Sequence, residues 1–282
     1  METTVTQISA AEVTKLRSLT GAGMMDCKKA LTEAQGDLEK AIEFLRKKGQ
    51  KVSASRAEKE AKEGAVFTGI NSSGNEGFVI ELNCETDFVA RNVDFIGLGK
   101  NILSLLNHNH PKNTDELKSL PLNGKSVNDH LFDLMAKIGE KIEIRTYRCL
   151  HGEKVVSYTH MGSKIGVLVA LKNAEGCDVS EAAKDVAMQV AAMKPVAVDK
   201  EDVRAETLQK ELEIAKEQAR NEGKPEAMLE KIAQGRLTKF YKEATLLNQD
   251  FVKDSSLTVR QMLEKVKKGL TVSEFVRVAL GG

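Results

Sequence analysis

The segment Ile165 to Leu171, Ile-Gly-Val-Leu-Val-Ala-Leu, constrains the fold more than any other stretch of this chain. It is the strongest apolar run in the sequence, yet it is far too short to cross a bilayer. It suits a strand buried in a core, so a sheet must be built around it. Further strands are expected at Ala65 to Ile70, Phe78 to Asn83, Lys141 to Leu150, Lys154 to His160 and Lys164 to Leu171. Asn71-Ser72-Ser73-Gly74-Asn75 reads as a hairpin turn, and Gly152 and Gly162 mark two more. Helical patterns surround these strands, which makes the class α+β.

The first fifty residues carry three of those helices. Ser9-Ala10-Ala11-Glu12 fits a capping box, and Val13, Leu16 and Leu19 follow on one face. Gly21-Ala22-Gly23 breaks that helix, and a second is expected from Met24 to Gln35, stopped by Gly36. Asp37 caps a third, with Leu38, Ala41, Ile42 and Leu45 inward and Gly49 past its end. The charged stretch 51–64 reads as a linker between this module (1–50) and a mixed core.

The core is expected in two parts, 65–150 and 151–198, with a return at 244–282. In the first part a helix is predicted from Asp94 to Asn107, then a loop at 108–125, punctuated by Pro111, Pro121 and Asn123-Gly124. Ser126 caps a helix with Leu131, Leu134, Met135 and Ile138 inward. In the second part a helix runs from Ser180 to Met193 and ends before Pro195. Gly77-Phe78-Val79-Ile80 and Gly166-Val167-Leu168-Val169 each lead through a loop into a helix, an echo of two related halves. Between 199 and 243, Ala205, Leu208, Leu212, Ala215 and Ala219 form one seam, and Met228, Leu229, Ile232, Leu237 and Phe240 form a second. Joined by a turn at Asn221-Glu222-Gly223-Lys224-Pro225, they read as an antiparallel coiled-coil hairpin. Thr258 then caps a helix with Met262, Leu263 and Val266, and a last strand is expected between Leu270 and Leu280.

Composition narrows the function. Charged residues make up 29% of the chain but their signs cancel to +1, which gives no global reason to bind nucleic acid or a membrane. There is no tryptophan, and three tyrosines and nine phenylalanines are a thin supply for stacking bases. Met1-Glu2-Thr3-Thr4-Val5 has neither a basic nor an apolar leader region, and the four cysteines form no CxxC pair. A cytoplasmic protein without disulfides or structural zinc is the expectation.

Enzyme signatures are absent. There is no GxxxxGK[ST] loop, and Gly21-Ala22-Gly23 does not follow a strand, so no cofactor fingerprint is present. His108-Asn109-His110 lacks accompanying ligands for a metal. Cys84 lies beside Glu85 and Asp87, which disfavour a thiolate, so a thiol enzyme is a weak reading and a half-buried strand cysteine the stronger one. His160 shows no partner for general-base work. Thr86-Asp87-Phe88-Val89 is more informative. Thr86 can cap the next turn, and Asp87 suits the positive end of that turn. Residue physics leaves Phe88 open between a core position and an exposed aromatic that enters a partner's pocket.

Three motifs carry a family resemblance. Leu16 to Leu31, LRSLTGAGMMDCKKAL, looks like the N-terminal signature of the elongation factor Ts family. Asn83 to Ala90, NCETDFVA, is similar to its second signature, and His160 with Ile165-Gly166-Val167-Leu168-Val169 matches a third. The resemblance spans nearly the whole chain. It implies a three-helix module similar to ubiquitin-associated domains, a two-subdomain α+β core and a coiled-coil hairpin inserted in the second subdomain. It also implies a guanine nucleotide exchange factor, not an enzyme, with no cofactor and no direct contact to nucleic acid or membrane. Such a factor binds elongation factor Tu, both GDP-bound and nucleotide-free, and speeds GDP release so that GTP can enter.

By resemblance, Thr86, Asp87, Phe88 and Val89 dislodge the partner's Mg²⁺, with Phe88 wedging between side chains. Arg17, Met24, Met25 and Lys28 match positions that dock the module, and Ile138 and His160 match further contacts. Two departures stand out. The stretch 108–125 does not match the helical segment expected there, and a further C-terminal helical module found in some members is not expected after Gly282. The hairpin pairs two copies in some members, so a homodimer through it is a further partner reading. An adaptor that binds ubiquitin-like proteins through the first fifty residues is the competing function.

Overall fold

The structure, a computed structural model, describes residues 8–281. The Met1 to Val5 stretch read above for a leader lies outside them. The chain divides into two compact units. The first comprises residues up to Phe67, Ile80–Tyr147 and the residues from Ala279 onward; the second comprises Thr68–Val79 and Arg148–Val278. No described helix is long and apolar enough to cross a membrane.

In chain order, α1 (Ala10–Thr20), α2 (Met24–Glu33) and α3 (Leu38–Ser55) come first. They are followed by β1 (Glu63–Ile70), β2 (Glu76–Cys84), α4 (Asp87–Ala90), α5 (Val93–Leu105) and α6 (Thr114–Ser119). Then come β3 (Pro121–Leu122), β4 (Lys125–Ser126), α7 (Val127–Ile138), β5 (Ile142–His151), β6 (Lys154–His160), β7 (Ile165–Lys172) and α8 (Ser180–Met193). The remainder is α9 (Ala205–Asn221), α10 (Glu226–Ala244), β8 (Asp250–Phe251), β9 (Asp254–Thr258), α11 (Val259–Val266) and β10 (Thr271–Ala279). The larger sheets have strand orders β1-β2-β5 and β10-β7-β6. The two strands of the sequence echo, β2 and β7, are thus the central strand of their sheets, and the apolar run that becomes β7 is buried from Gly166 to Leu171.

The helical module forms as its caps direct. Ser9 accepts from the Glu12 N–H and the Glu12 carboxylate reaches back to the Ser9 N–H (2.8 Å), closing the box. Val13, Leu16, Ala22, Cys27, Ala30, Leu31, Ala41 and Leu45 make its core. Leu19 was expected inward but is 58% exposed. The reason is local: Gly21 turns the chain left-handed (φ 66°), and Ala22 takes the next core place.

The third helix does not stop at Gly49, as the sequence suggested, but runs on to Ser55. Gly49 is a point of close approach. A Cβ there would lie 2.2 Å from the carbonyl oxygen of Phe132 in α7. Arg46 forms an ion pair with Asp129 of α7 along the same line. The stretch that follows is tied down: Arg56 pairs with Glu85 (2.7 Å), and Lys141 Nζ donates to the carbonyls of Ala57 (3.2 Å) and Lys59 (3.3 Å).

The segment 108–125, read as loop, contains α6 and the β3–β4 hairpin. Asn113 starts α6 by accepting from the N–H groups of Asp115 and Glu116 (3.0 and 2.9 Å), so the prolines flank a helix and do not exclude one. Ile138, expected inward, is only half-buried as the last residue of α7.

In the second unit, α8 and α11 pack with β7 and β10 around Val167, Val169, Val186, Val190, Leu263 and Val272. Val266, expected inward on α11, is 40% exposed at that helix's end. The short hairpin β8–β9 was not expected. Ala215, Ala219, Leu229 and Ala233 are the buried seam between α9 and α10. Ala205 and Met228, expected in that seam, are exposed, because each lies in the first turn of its helix. Arg236 grips both carboxylate oxygens of Glu222 (2.7 Å each) across the pair. Main-chain bonds close the base of this hairpin: Val196 N–H to Ala244 O (2.8 Å), Leu246 N–H to Ala197 O (2.9 Å) and Leu247 N–H to Val198 O (3.0 Å).

Gly49→Ala forces backbone, not a flexible side-chain end, to move. It should cost about 1–3 kcal/mol, seen as a lower urea midpoint. Gly235→Ala, in α10 with nothing within 4 Å of the added carbon, should leave the midpoint unchanged or raise it slightly.

Candidate partner-binding site

The element Thr86 to Ala90 is a single helical turn, and one turn does not stand alone in water. Its neighbours hold it. The Thr86 hydroxyl accepts from the Val89 N–H (3.4 Å), as the capping reading required. The same hydroxyl donates to Glu140 Oε1 (2.8 Å), and the Thr86 N–H donates to Glu140 Oε2 (3.1 Å). The preceding residue is held in the opposite sense, since Glu85 Oε1 accepts from the Lys141 N–H (2.7 Å). Glu140 and Lys141 directly follow Gly139, which caps α7 with φ 85°. The end of β2 and the turn between α7 and β5 are therefore laced together by three hydrogen bonds.

This lacing decides where the next side chains point. Val89 is buried, and Phe88, one residue earlier, is 84% exposed. Asp87 forms an ion pair with Arg91 one turn on (3.0 Å). An exposed phenylalanine on a fixed backbone contributes little to the stability of its own chain, which removes the core reading of Phe88.

Cys84 was read as half-buried and is fully buried. Burial first, then the charges of Glu140 and Glu63, pushes its thiol up to about 12, and its Sγ–H donates to the Thr86 carbonyl (3.1 Å). It has no thiolate to offer chemistry at neutral pH.

Of the module residues, Arg17 and Lys28 are exposed, Met24 is 56% exposed and Met25 77%. Leu19, Thr20 and Gly21 line one cleft together with Val93, Asp94 and Lys137. Lys137 bridges that cleft through an ion pair with Asp94 (2.7 Å). The turn between α1 and α2 thus shares a face with the start of α5, and Leu19 and Val93, two large apolar residues exposed there, were not among the partner contacts expected from sequence. Ile138 stands two residues before Glu140. His160 lies in the second unit, exposed at the end of β6, and pairs in register with Ile165. Its Nδ1 is 2.8 Å from the Tyr158 hydroxyl, a partner the sequence did not reveal.

No third metal-type side chain joins His108 and His110 among the described residues. There, the one group of such side chains within reach of each other is Glu76, Cys149 and His151, in the second unit.

Comparison with known proteins now bears on this geometry. The family model described as Elongation factor TS matches residues 85–282. Proteins named Elongation factor Ts are similar over nearly full length: that of Cytophaga hutchinsonii is 58% identical over 97% of this chain and 99% of its own. That of Amoebophilus asiaticus is 54% identical over the same shares, and that of Flavobacterium psychrophilum 50%. The chain belongs to the elongation factor Ts family. Elongation factor Ts is a nucleotide exchange factor for elongation factor Tu and not an enzyme, which agrees with the buried, protonated Cys84.

Glu140 was invisible as a site residue because it lies 54 positions from Thr86. Glu140→Ala should loosen the turn without unfolding the unit, costing about 1 kcal/mol. Faster amide exchange at Thr86 and Val89, with protection in α7 retained, is the expected readout.

Proposed function

We propose that this chain acts by pressing α4 against the nucleotide-binding domain of elongation factor Tu. Phe88 enters between side chains of that domain as a wedge, and Thr86, Asp87 and Val89 set its position. The single observation that carries this reading is the 84% exposure of Phe88 on a turn fixed by Glu140 and Lys141. A rigid, exposed aromatic loses little conformational freedom on binding and delivers a large apolar surface.

The wedge disturbs the partner's Mg²⁺ site and phosphate loop. Mg²⁺ neutralises much of the charge on the GDP phosphates, so displacing it weakens GDP more than it weakens contacts with the protein. The exchange factor binds best to the nucleotide-free state, and by reciprocity GTP entry weakens its own hold. Arg17, Met24, Met25 and Lys28 dock the helical module on the same domain, where adaptable methionines suit a partner that changes shape. Ile138 and His160 add contacts. Exposed Ile214 (46%) and Met228 (49%) on the hairpin favour pairing of two copies through it.

Phe88→Ala should melt at the parent temperature yet slow the stimulated release of fluorescent GDP from elongation factor Tu about 30-fold, the loss of a binding anchor of about 2 kcal/mol. Parental activity in that variant would overturn the wedge. For the hairpin, sedimentation at micromolar concentration should give a dimer that Met228→Lys dissociates; a monomeric parent removes that reading.

A further inference from the structure

Three side chains that the exchange reading does not use meet in the second unit. Cys149 and His151 are two residues apart on β5 and share one face of the strand, while Leu150 between them is buried on the other. Glu76 opens the neighbouring strand β2. The Cys149 thiol donates to Glu76 Oε1 (3.2 Å) and lies 3.4 Å from His151 Nε2, and that nitrogen is 3.6 Å from the same carboxylate oxygen.

These separations, 3.2–3.6 Å, are close to those of a coordination shell. Around a tetrahedral Zn²⁺, with ordinary metal–oxygen, metal–sulfur and metal–nitrogen lengths, the donor atoms sit about 3.3–3.6 Å apart. We propose that Glu76, Cys149 and His151 form a Zn²⁺ site, with solvent water in the fourth position. The main chain prepares the triangle in advance. Gly152 N–H donates to Asn75 O (2.9 Å) and Val155 N–H to Gly74 O (2.7 Å), which fixes His151 beside the start of β2. The Glu76 N–H is itself held by Asn71 Oδ1 (3.3 Å).

The donor set selects the ion. A thiolate and an imidazole reject Mg²⁺ and Ca²⁺, which take oxygen ligands, and a mixed sulfur, nitrogen and oxygen set suits Zn²⁺. Charge also fits. One carboxylate and one thiolate cancel the dication, so the group is neutral where Glu76 is 4% exposed. Binding breaks the Cys149 S–H bond, forms the Zn–S bond and releases one proton to solvent. The side chain of His151 is 72% exposed, which leaves the open coordination position on the solvent side. The lack of any CxxC pair does not argue against such a site, because it needs only one cysteine.

The test uses the reduced, metal-free full chain without elongation factor Tu, so its failure leaves the exchange reading untouched. Co²⁺ serves as the spectroscopic probe. A saturable thiolate-to-Co²⁺ charge-transfer band with d–d bands of tetrahedral strength is expected, bleached by stoichiometric Zn²⁺. Cys149→Ser should lose the charge-transfer band. His151→Ala should keep that band but weaken Co²⁺ at least about tenfold. Cys177→Ser, at an exposed cysteine outside the triangle, should match the parent. Circular dichroism checks that each variant is folded. If Cys149→Ser does not fold, protection of Cys149 from alkylation by Zn²⁺ in the parent, and its loss in His151→Ala, carries the test. No saturable band, or a band that survives Cys149→Ser and vanishes in Cys177→Ser, overturns the proposal.

Discussion

The surface that presents Phe88 depends on one carboxylate. Glu140 accepts from both the hydroxyl and the N–H of Thr86 and so converts a single helical turn, too short to persist alone, into a fixed platform. With Thr86 held and Val89 buried beneath it, Phe88 has no inward option. The apolar side chain that would ordinarily seek the interior is kept in water by the hydrogen bonds of its neighbours. That is a local sacrifice of burial, which the proposed docking of α4 on a partner would recover.

Much of the architecture can be read from local chemistry. Capping residues announce helix starts within one residue: Ser9, Asp37, Ser126 and Thr258 each accept from the turn they precede. Strand β6 and helix α8 fall where breakers and periodicity place them. The misreadings share a physical cause. Gly49 looks like a terminator because glycine's usual role near a helix end is conformational, whereas here it makes room for the Phe132 carbonyl of a helix far along the chain. Leu19 fits the apolar stripe of α1, but the left-handed turn at Gly21 rotates the chain before Leu19 can be covered. Tertiary contact decided the first and a backbone turn the second, and the apolar pattern alone carries neither.

The candidate site divides in the same way. Thr86 as a cap was legible, because the donor and the acceptor are neighbours in sequence. Whether Phe88 was core or surface was not legible from residue physics, because the answer lies in Glu140 and Lys141, on the far side of three helices. The resemblance to the elongation factor Ts family pointed to these residues; the geometry supplies the physical reason why they stand where they do. The cleft shared by Leu19 and Val93 belongs to the same category, since the Lys137–Asp94 bridge that spans it joins two helices with no local sequence link.

The base of the α9–α10 hairpin has a consequence of another kind. Its entry and exit segments are joined by main-chain bonds between 196–198 and 244–247, and Gln189 and Gln249 hydrogen-bond beneath them (3.1 Å). Everything beyond that closure is a loop with fixed ends. The entropy of such a loop grows only with the logarithm of its length, about 0.6 kcal/mol per doubling. A change in the length of the α9–α10 hairpin therefore adds little closure cost at its base. The four-residue turn at Phe88 has no such slack, because Glu140 and Lys141 hold its entry in one register.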